Sequence, residues 1–180
     1  VCSTVSPSGN DDAEEATNGN LYATTGPLDL VHDSEVPDWR GDQRIGLRFA
    51  DLQLPQGVQV VLAKLYFTAA SATGNGPSAL SIALQSADDA PAIGFAPFEL
   101  SARTYGPSVA WSVPTWNVLD ASGPDQRSSD LSALVQQVVS RQGWTPGNAM
   151  LVGITGTGLR SAWQAEQDSI RKAHIRDGVA

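Results

Sequence analysis

The stretch from Asp125 to Gly158, DQRSSDLSALVQQVVSRQGWTPGNAMLVGITGTG, constrains the fold more than any other part of the chain. It holds the one convincing helix pattern in a sequence that otherwise reads as strands and turns. Leu131, Leu134, Val135, Val138 and Val139 fall at i, i+3, i+4, i+7 and i+8. That spacing puts a single apolar stripe on a short amphipathic helix around 132–141. Ser132 is the expected N-cap, because its hydroxyl can accept from the free N–H groups of the first turn. Arg141 falls in the last turn, where a cation suits the dipole, and Gly143 supplies the stop. After a Pro146-Gly147-Asn148 turn, Met150 to Ile154 is a short apolar run that reads as a buried strand. A helix with one apolar stripe next to such a strand is expected to lie across a sheet.

The 180 residues suffice for one domain with a sizeable core. Charged residues make up only 17%, so Ser, Thr, Gln, Asn and Gly must cover much of the surface, as in many extracellular β proteins. The net charge of −8 excludes an ordinary nucleic-acid binder, which needs clustered Lys and Arg for phosphates. Cys2 is the single cysteine. It cannot form an internal disulfide, and it reads either as an unpaired thiol on a tail or as a bond to another chain. A chain that opens on Val1 reads as a processed product or a fragment. No window is long and apolar enough for a membrane-spanning helix.

Residues 1–10 are expected to form a flexible N-terminal segment, and 11–180 a single domain. The acidic run Asp11-Asp12-Ala13-Glu14-Glu15 reads two ways. It is either a solvated segment or a Ca²⁺ site in which Asp11, Asp12, Glu14 and Glu15 supply oxygens. Ile45, Leu47 and Phe49 alternate with Arg44, Gly46 and Arg48, the period of a half-buried strand. Val61, Ala63, Leu65 and Phe67 alternate likewise after a Pro55-Gln56-Gly57 turn, and so do Leu80, Ile82 and Leu84. Pro-interrupted Ala90 to Phe98 reads as a loop, and Val109 with Trp111 as a further strand. Ala173 and Ile175 are weakly strand-like. Arg40-Gly41-Asp42 matches a tripeptide that some adhesion ligands expose, a match short enough to arise by chance. Many short strands between turn signals predict an all-β fold: a two-sheet antiparallel sandwich, jelly-roll-like, with the one helix packed at an edge or end.

The same residues carry a family resemblance. Asp11–Glu15, Gln43–Phe49, Leu54–Gly57, Ala63–Thr68, Asp125–Met150, Ile154–Gly158 and Arg160 together resemble a poorly characterised family of extracellular β-sandwich domains from secreted and surface proteins. The segment around GLRF, LPQG and AKLYF is also similar, more distantly, to jelly-roll modules of the DNRLRE type, some of which bind carbohydrate. The resemblance implies a secreted, non-catalytic β-sandwich at a cell surface.

Catalytic patterns are missing from the sequence. His32 and His174 have no second ligand at metal spacing, and no nucleophile elbow, HExxH or phosphate-binding loop occurs. The glycines from Gly153 to Gly158 follow a strand rather than open a helix, and read as a turn. Only the fold sets the separation of a carboxylate pair for glycoside hydrolysis. Five tryptophans are more informative. Trp144 follows the helix and is expected to dock it in the core. Trp39, in a polar turn, is the best candidate for an exposed ring, and Tyr66, Trp116 and Trp163 complete a candidate ligand-binding set. Core filling is the competing reading for Trp111, Trp116 and Trp163. The expected function is a non-catalytic module that binds glycan or extracellular matrix. The alternative is a structural subunit that self-associates into an extracellular filament or sheath.

Overall fold

Alternating side chains turn a strand into a two-faced ribbon, and such ribbons line up here. The computed structural model of the chain describes residues 2–4, 11–22, 27–33, 41–72, 76–163 and 174–176. The strands are β1 (Cys2–Thr4), β2 (Asp12–Ala16), β3 (Leu21–Tyr22), β4 (Leu28–Leu30), β5 (His32–Asp33), β6 (Gly41–Phe49), β7 (Ser78–Gln85), β8 (Tyr105–Val113), β9 (Met150–Thr157), β10 (Arg160–Ala162) and β11 (His174–Arg176). The helix α1 spans Ser132–Val139. The fold is therefore all-β and antiparallel with one short helix, as the periodicities predict. Among the described residues no helix is long and apolar enough to cross a membrane.

The main sheet has seven strands in the order β3-β2-β6-β9-β7-β8, with β5 also paired to β6. Register sets its two faces. Ile45 lies opposite Ile154, Ile154 opposite Ile82, and Ile82 opposite Val109. This row faces the main core, with Leu47, Phe49, Leu80, Leu84, Trp111 and Val152. One residue along, Ala13, Gly46, Gly153 and Ala83 are successive cross-strand partners. They form a row of small residues on the opposite face.

A second layer covers the main core. In it β4 pairs with β10, and isolated bridges join Ala69 to Ala162 and Tyr66 to Arg127. The predicted strand from Val61 to Phe67 is extended and alternately buried, but it makes no regular ladder. Its backbone bonds to both side chains and backbone groups of the segment that leads into α1, and the neighbouring Val60 to α1 itself. The Ala63 amide donates to Asp130 Oδ1 at 3.1 Å, the Leu65 amide to Ser128 Oγ at 3.0 Å, and the Val60 amide to Gln136 Oε1 at 2.9 Å. Phe67 from this layer stacks on Trp111 at 5.7 Å between centroids and leans on Trp116 at 6.3 Å. Val31, buried with φ 64, is where the chain turns from β4 in one layer to β5 beside the other. Buried Arg160 of β10 donates to the carbonyls of Gly76, Val113 and Pro114, fastening the second layer to the end of the first.

The helix stripe is buried at Leu131, Leu134, Val135, Val138 and Val139, and α1 lies against β7 and β8. Its caps differ from expectation. Ser132 is the first helical residue rather than the cap. Leu131 is the N-cap and makes no side-chain cap bond, and Asp130 before it accepts from the Ser132 amide at 2.9 Å and from the Ser132 hydroxyl. An aspartate just ahead of the cap reaches the first helical amide and binds Ala63 as well. Arg141 lies beyond the last turn and pairs with Asp88 instead of capping the dipole. The LPQG turn closes that end: the Gly57 amide donates to Val139 O, and Gln56 Nε2 donates to Arg141 O and Gln142 O. Trp144 fills the core as expected, with Nε1 donating to Leu54 O at 2.9 Å.

Two further expectations are corrected. Cys2–Thr4, placed in a flexible lead, is a strand paired antiparallel with His174–Arg176 of the same chain. The glycine-rich run after Ile154 is not a turn throughout, because β9 continues to Thr157 alongside β7.

Leu134→Ala should destabilise the domain by about 2–4 kcal/mol, the sum of lost burial and a cavity. Urea melts would measure it, and a loss under about half a kcal/mol would mean that the stripe is not core. Asp130 gives a pH-dependent check. Desolvation raises its pKa, but the amides of Ala63 and Ser132, the Ser132 hydroxyl and nearby Lys64 outweigh this and hold it below its ordinary value. A carboxyl depressed in the folded state stabilises it above the unfolded-state pKa, and that contribution is lost as pH falls through the folded-state pKa. The stability gap between wild type and Asp130→Asn should therefore narrow from about pH 6 to about pH 2. A gap that widens on acidification would contradict this role of Asp130.

Candidate functional site

The acidic run is a buried strand rather than a solvated segment, and its carboxylates are dispersed. Neighbouring side chains in a strand point to opposite faces, so Asp12 and Glu14 leave one side of β2 and Asp11 and Glu15 the other. On the core side, Glu14 Oε1 accepts from the Asp29 amide of β4 at 2.6 Å, bridging the two layers. On the other side, Asp11 pairs with Arg48 at 2.7 Å. Glu15 Oε2 accepts from the Leu100 amide at 2.6 Å, and Glu15 also accepts from the Ser101 amide. Among the described residues no group of three or more His, Cys, Asp and Glu could hold a metal ion.

Glu15 and Arg48 are two ends of a staple. Between β7 and β8 the chain crosses the small-residue face of the main sheet, where Ile93, Leu100 and Leu151 form a second core with Ala13, Ala90 and Ala149. The close approach requires the glycines: a Cβ on Gly46 would stand 2.6 Å from Leu100 Cδ2, and one on Gly153 would strike the Tyr105 ring. Arg48 Nε donates to Ala90 O at 2.7 Å at the start of this crossing, and Glu15 receives Leu100 and Ser101 near its end. Arg103 binds it internally, donating to Gln85, Pro91, Ala92 and Glu99. Burial pushes the Tyr105 phenol above its usual pKa, against the pull of Arg44 and Arg103. The phenol donates to Leu100 O at 3.1 Å.

This tied crossing loop forms one wall of an open cleft of about 410 Å³, within the range of small-ligand sites. Its floor and far side come from Glu15 and Thr17 at the end of β2, Asp42 and Arg44 of β6, and Thr155 of β9. The Arg44 guanidinium lies 5.3 Å from the Tyr105 ring centroid. Asp42 at the rim meets His32 Nδ1 at 2.9 Å. The wall contributes Ser101 and Phe98.

Phe98 is the unusual residue. Its backbone is left-handed at φ 63, which costs a side chain roughly 1–2 kcal/mol. Its amide donates to Gly19 O at 2.9 Å, and its ring lies on Gly19. A Cβ there would come within 2.7 Å of three ring atoms. Even so, Phe98 is 49% exposed. Gly19 backs the ring, and what remains open adjoins the cleft.

The aromatic set read from the sequence is placed elsewhere. Trp116 is a correction: it is 1% exposed, with Nε1 donating to Asp125 O, and it fills the core between Phe67 and the 3-10 turn at Pro124–Gln126. Tyr66, half-buried, carries the Arg127 guanidinium over its ring at 5.1 Å. Trp163 is half-buried and donates from Nε1 to Asp120 Oδ1 at 2.8 Å. Neither lines the cleft. Trp39 lies outside the described residues, as does Arg40, while Gly41 and Asp42 open β6. The signal for Phe98 was present in the loop reading itself. Phe95 and Phe98 flank Ala96-Pro97 in a stretch with neither strand nor helix period, so no regular element could bury them. No protein-family model matches the chain, and no curated protein matches it either.

Gly19→Ala should lower stability by about 1–2 kcal/mol, because φ 87 is left-handed and the new methyl meets the Phe98 ring. Thermal melts combined with near-ultraviolet dichroism would read both the loss and the displaced ring. An unperturbed melt would show that Gly19 does not seat Phe98.

Proposed function

We propose that this chain is a non-catalytic module that binds glycan at a cell surface or in extracellular matrix, with the Phe98 cleft as its site. The observation that carries this is a half-exposed aromatic ring held in a strained backbone, on a loop tied down along its length. Strain of this kind persists where surrounding structure over-determines it, and it is concentrated at functional sites. A flat ring backed by protein on one side suits the apolar C–H face of a pyranose. Carboxylate, guanidinium and hydroxyl groups of Asp42, Arg44, Thr17, Ser101 and Thr155 around it can accept from and donate to sugar hydroxyls. The oxygens of Glu15 are engaged by backbone amides, a structural use that favours binding over acid–base chemistry. The resemblance to extracellular sandwich domains supports a surface setting.

The filament alternative has less support. The free edge of β8 carries Pro107, and Ser129 Oγ donates to Ala110 O along it. Both features discourage strand addition by a second copy.

Phe98→Gly separates binding from folding. It removes the left-handed penalty, so stability should stay within about 1 kcal/mol of wild type or rise. Retention on immobilised polysaccharides should fall at least about tenfold, the equivalent of about 1.4 kcal/mol. Undiminished retention would remove the cleft from consideration.

A further inference from the structure

We infer, resting on the glycan-binding reading, that the ligand is an internal stretch of an uncharged polysaccharide, with Phe95 and Phe98 stacking on two sugars of one strand. Phe95 is 59% exposed and Phe98 49%. Ala96 and Pro97 between them are exposed as well, so the loop presents a continuous apolar edge. Leaving such rings in water forgoes the stabilisation that burying a large apolar side chain would bring. Looseness does not explain it. The Glu99 amide returns to Ala96 O at 3.2 Å, and Arg103 ties Glu99, Pro91 and Ala92 together around the turn.

Two residues separate the two phenylalanines, so their Cα atoms, three steps apart along the chain, are no more than about 11 Å from each other. Neighbouring or next-neighbouring rings of a sugar chain fall within such a span. The cleft is open to solvent rather than a closed pocket for a chain terminus. Charge selects against acidic sugars. Asp42 and Glu15 line the cleft with one cation, Arg44, which lies over the Tyr105 ring, and Arg103 is already paired with Glu99. The whole chain carries a net charge of −8. A uronic-acid or sulfated polymer would meet like charge at long range and at Asp42, while a neutral hydroxyl can donate to this exposed carboxylate.

The full chain would be titrated calorimetrically with soluble xylan, glucomannan and mixed-linkage glucan, with polygalacturonate as the acidic counterpart. Neutral oligosaccharides of two to six sugars would follow. At least one neutral polymer should bind and polygalacturonate should not. Affinity for its hexasaccharide should exceed that for its disaccharide at least tenfold. Phe95→Ala should shrink that ratio at least fivefold, and Phe95→Trp, which keeps a flat ring, should preserve it. Preference for polygalacturonate, equal affinity for disaccharide and hexasaccharide, or an unchanged ratio in Phe95→Ala would each overturn the inference while leaving a glycan-binding module standing. Wild-type protein that binds none of these polymers would overturn the binding-module reading and this inference with it.

Discussion

The structure depends on how the backbone from Leu54 to Phe67 is satisfied without a ladder. An extended segment carries one donor and one acceptor per non-proline residue, and leaving the buried ones unpaired would cost about 1–3 kcal/mol each. Here the partners are Ser128, Asp130 and Gln136 side chains together with the carbonyls and amides of 126–131. Each side chain does two jobs. Asp130 receives both Ala63 and the first turn of α1, and Gln136 Nε2 donates to Val58 O while its oxygen receives Val60. At the far end, Gln56 and Gly57 close the helix C-terminus and Leu54 receives Trp144. Helix and extended segment are thus one interlocked unit, and neither could be seated without the other.

That interlock forms much of the second layer. It brings Phe67 onto Trp111 and Trp116, and it sets the stripe of α1 against the sheet. Buried Glu14 and Arg160 then join the layers by bonding to backbone groups. A buried charge is tolerable when its lone pairs or protons are taken up in this way. The same logic turns the acidic run of β2 into a set of fasteners.

On the opposite face, small residues decide what is possible. Because Gly46 and Gly153 project nothing, Leu100 and Tyr105 can descend onto the sheet, and the crossing loop is drawn tight. Tightness there has a consequence farther along. With Ala90 held by Arg48 and Leu100 held by Glu15, the intervening chain turns Ile93 inward onto the sheet. Phe95 and Phe98 are left exposed, and Phe98 lines the cleft.

Much of the architecture was legible from local spacing. The i, i+3, i+4 recurrence of Leu131 to Val139 identified the helix and its buried stripe. Period-two alternation identified β6 and β7, the apolar run from Met150 identified β9, and Trp144 followed from its place after the helix. These follow from the sequence because periodicity is a property of a few consecutive residues, and it states which face is apolar wherever the element ends up. The candidate site was not legible in this way. Whether a ring is exposed depends on which distant segment arrives to cover it: Trp116 is covered by Phe67, while Phe98 meets Gly19 on one side and stays half-exposed. Whether four carboxylates converge or disperse depends on the conformation of the strand that carries them. The sequence by itself determined the elements and the polarity of their faces. Only the tertiary structure decided which backbone groups the polar side chains would satisfy, and therefore which aromatic rings were left in water.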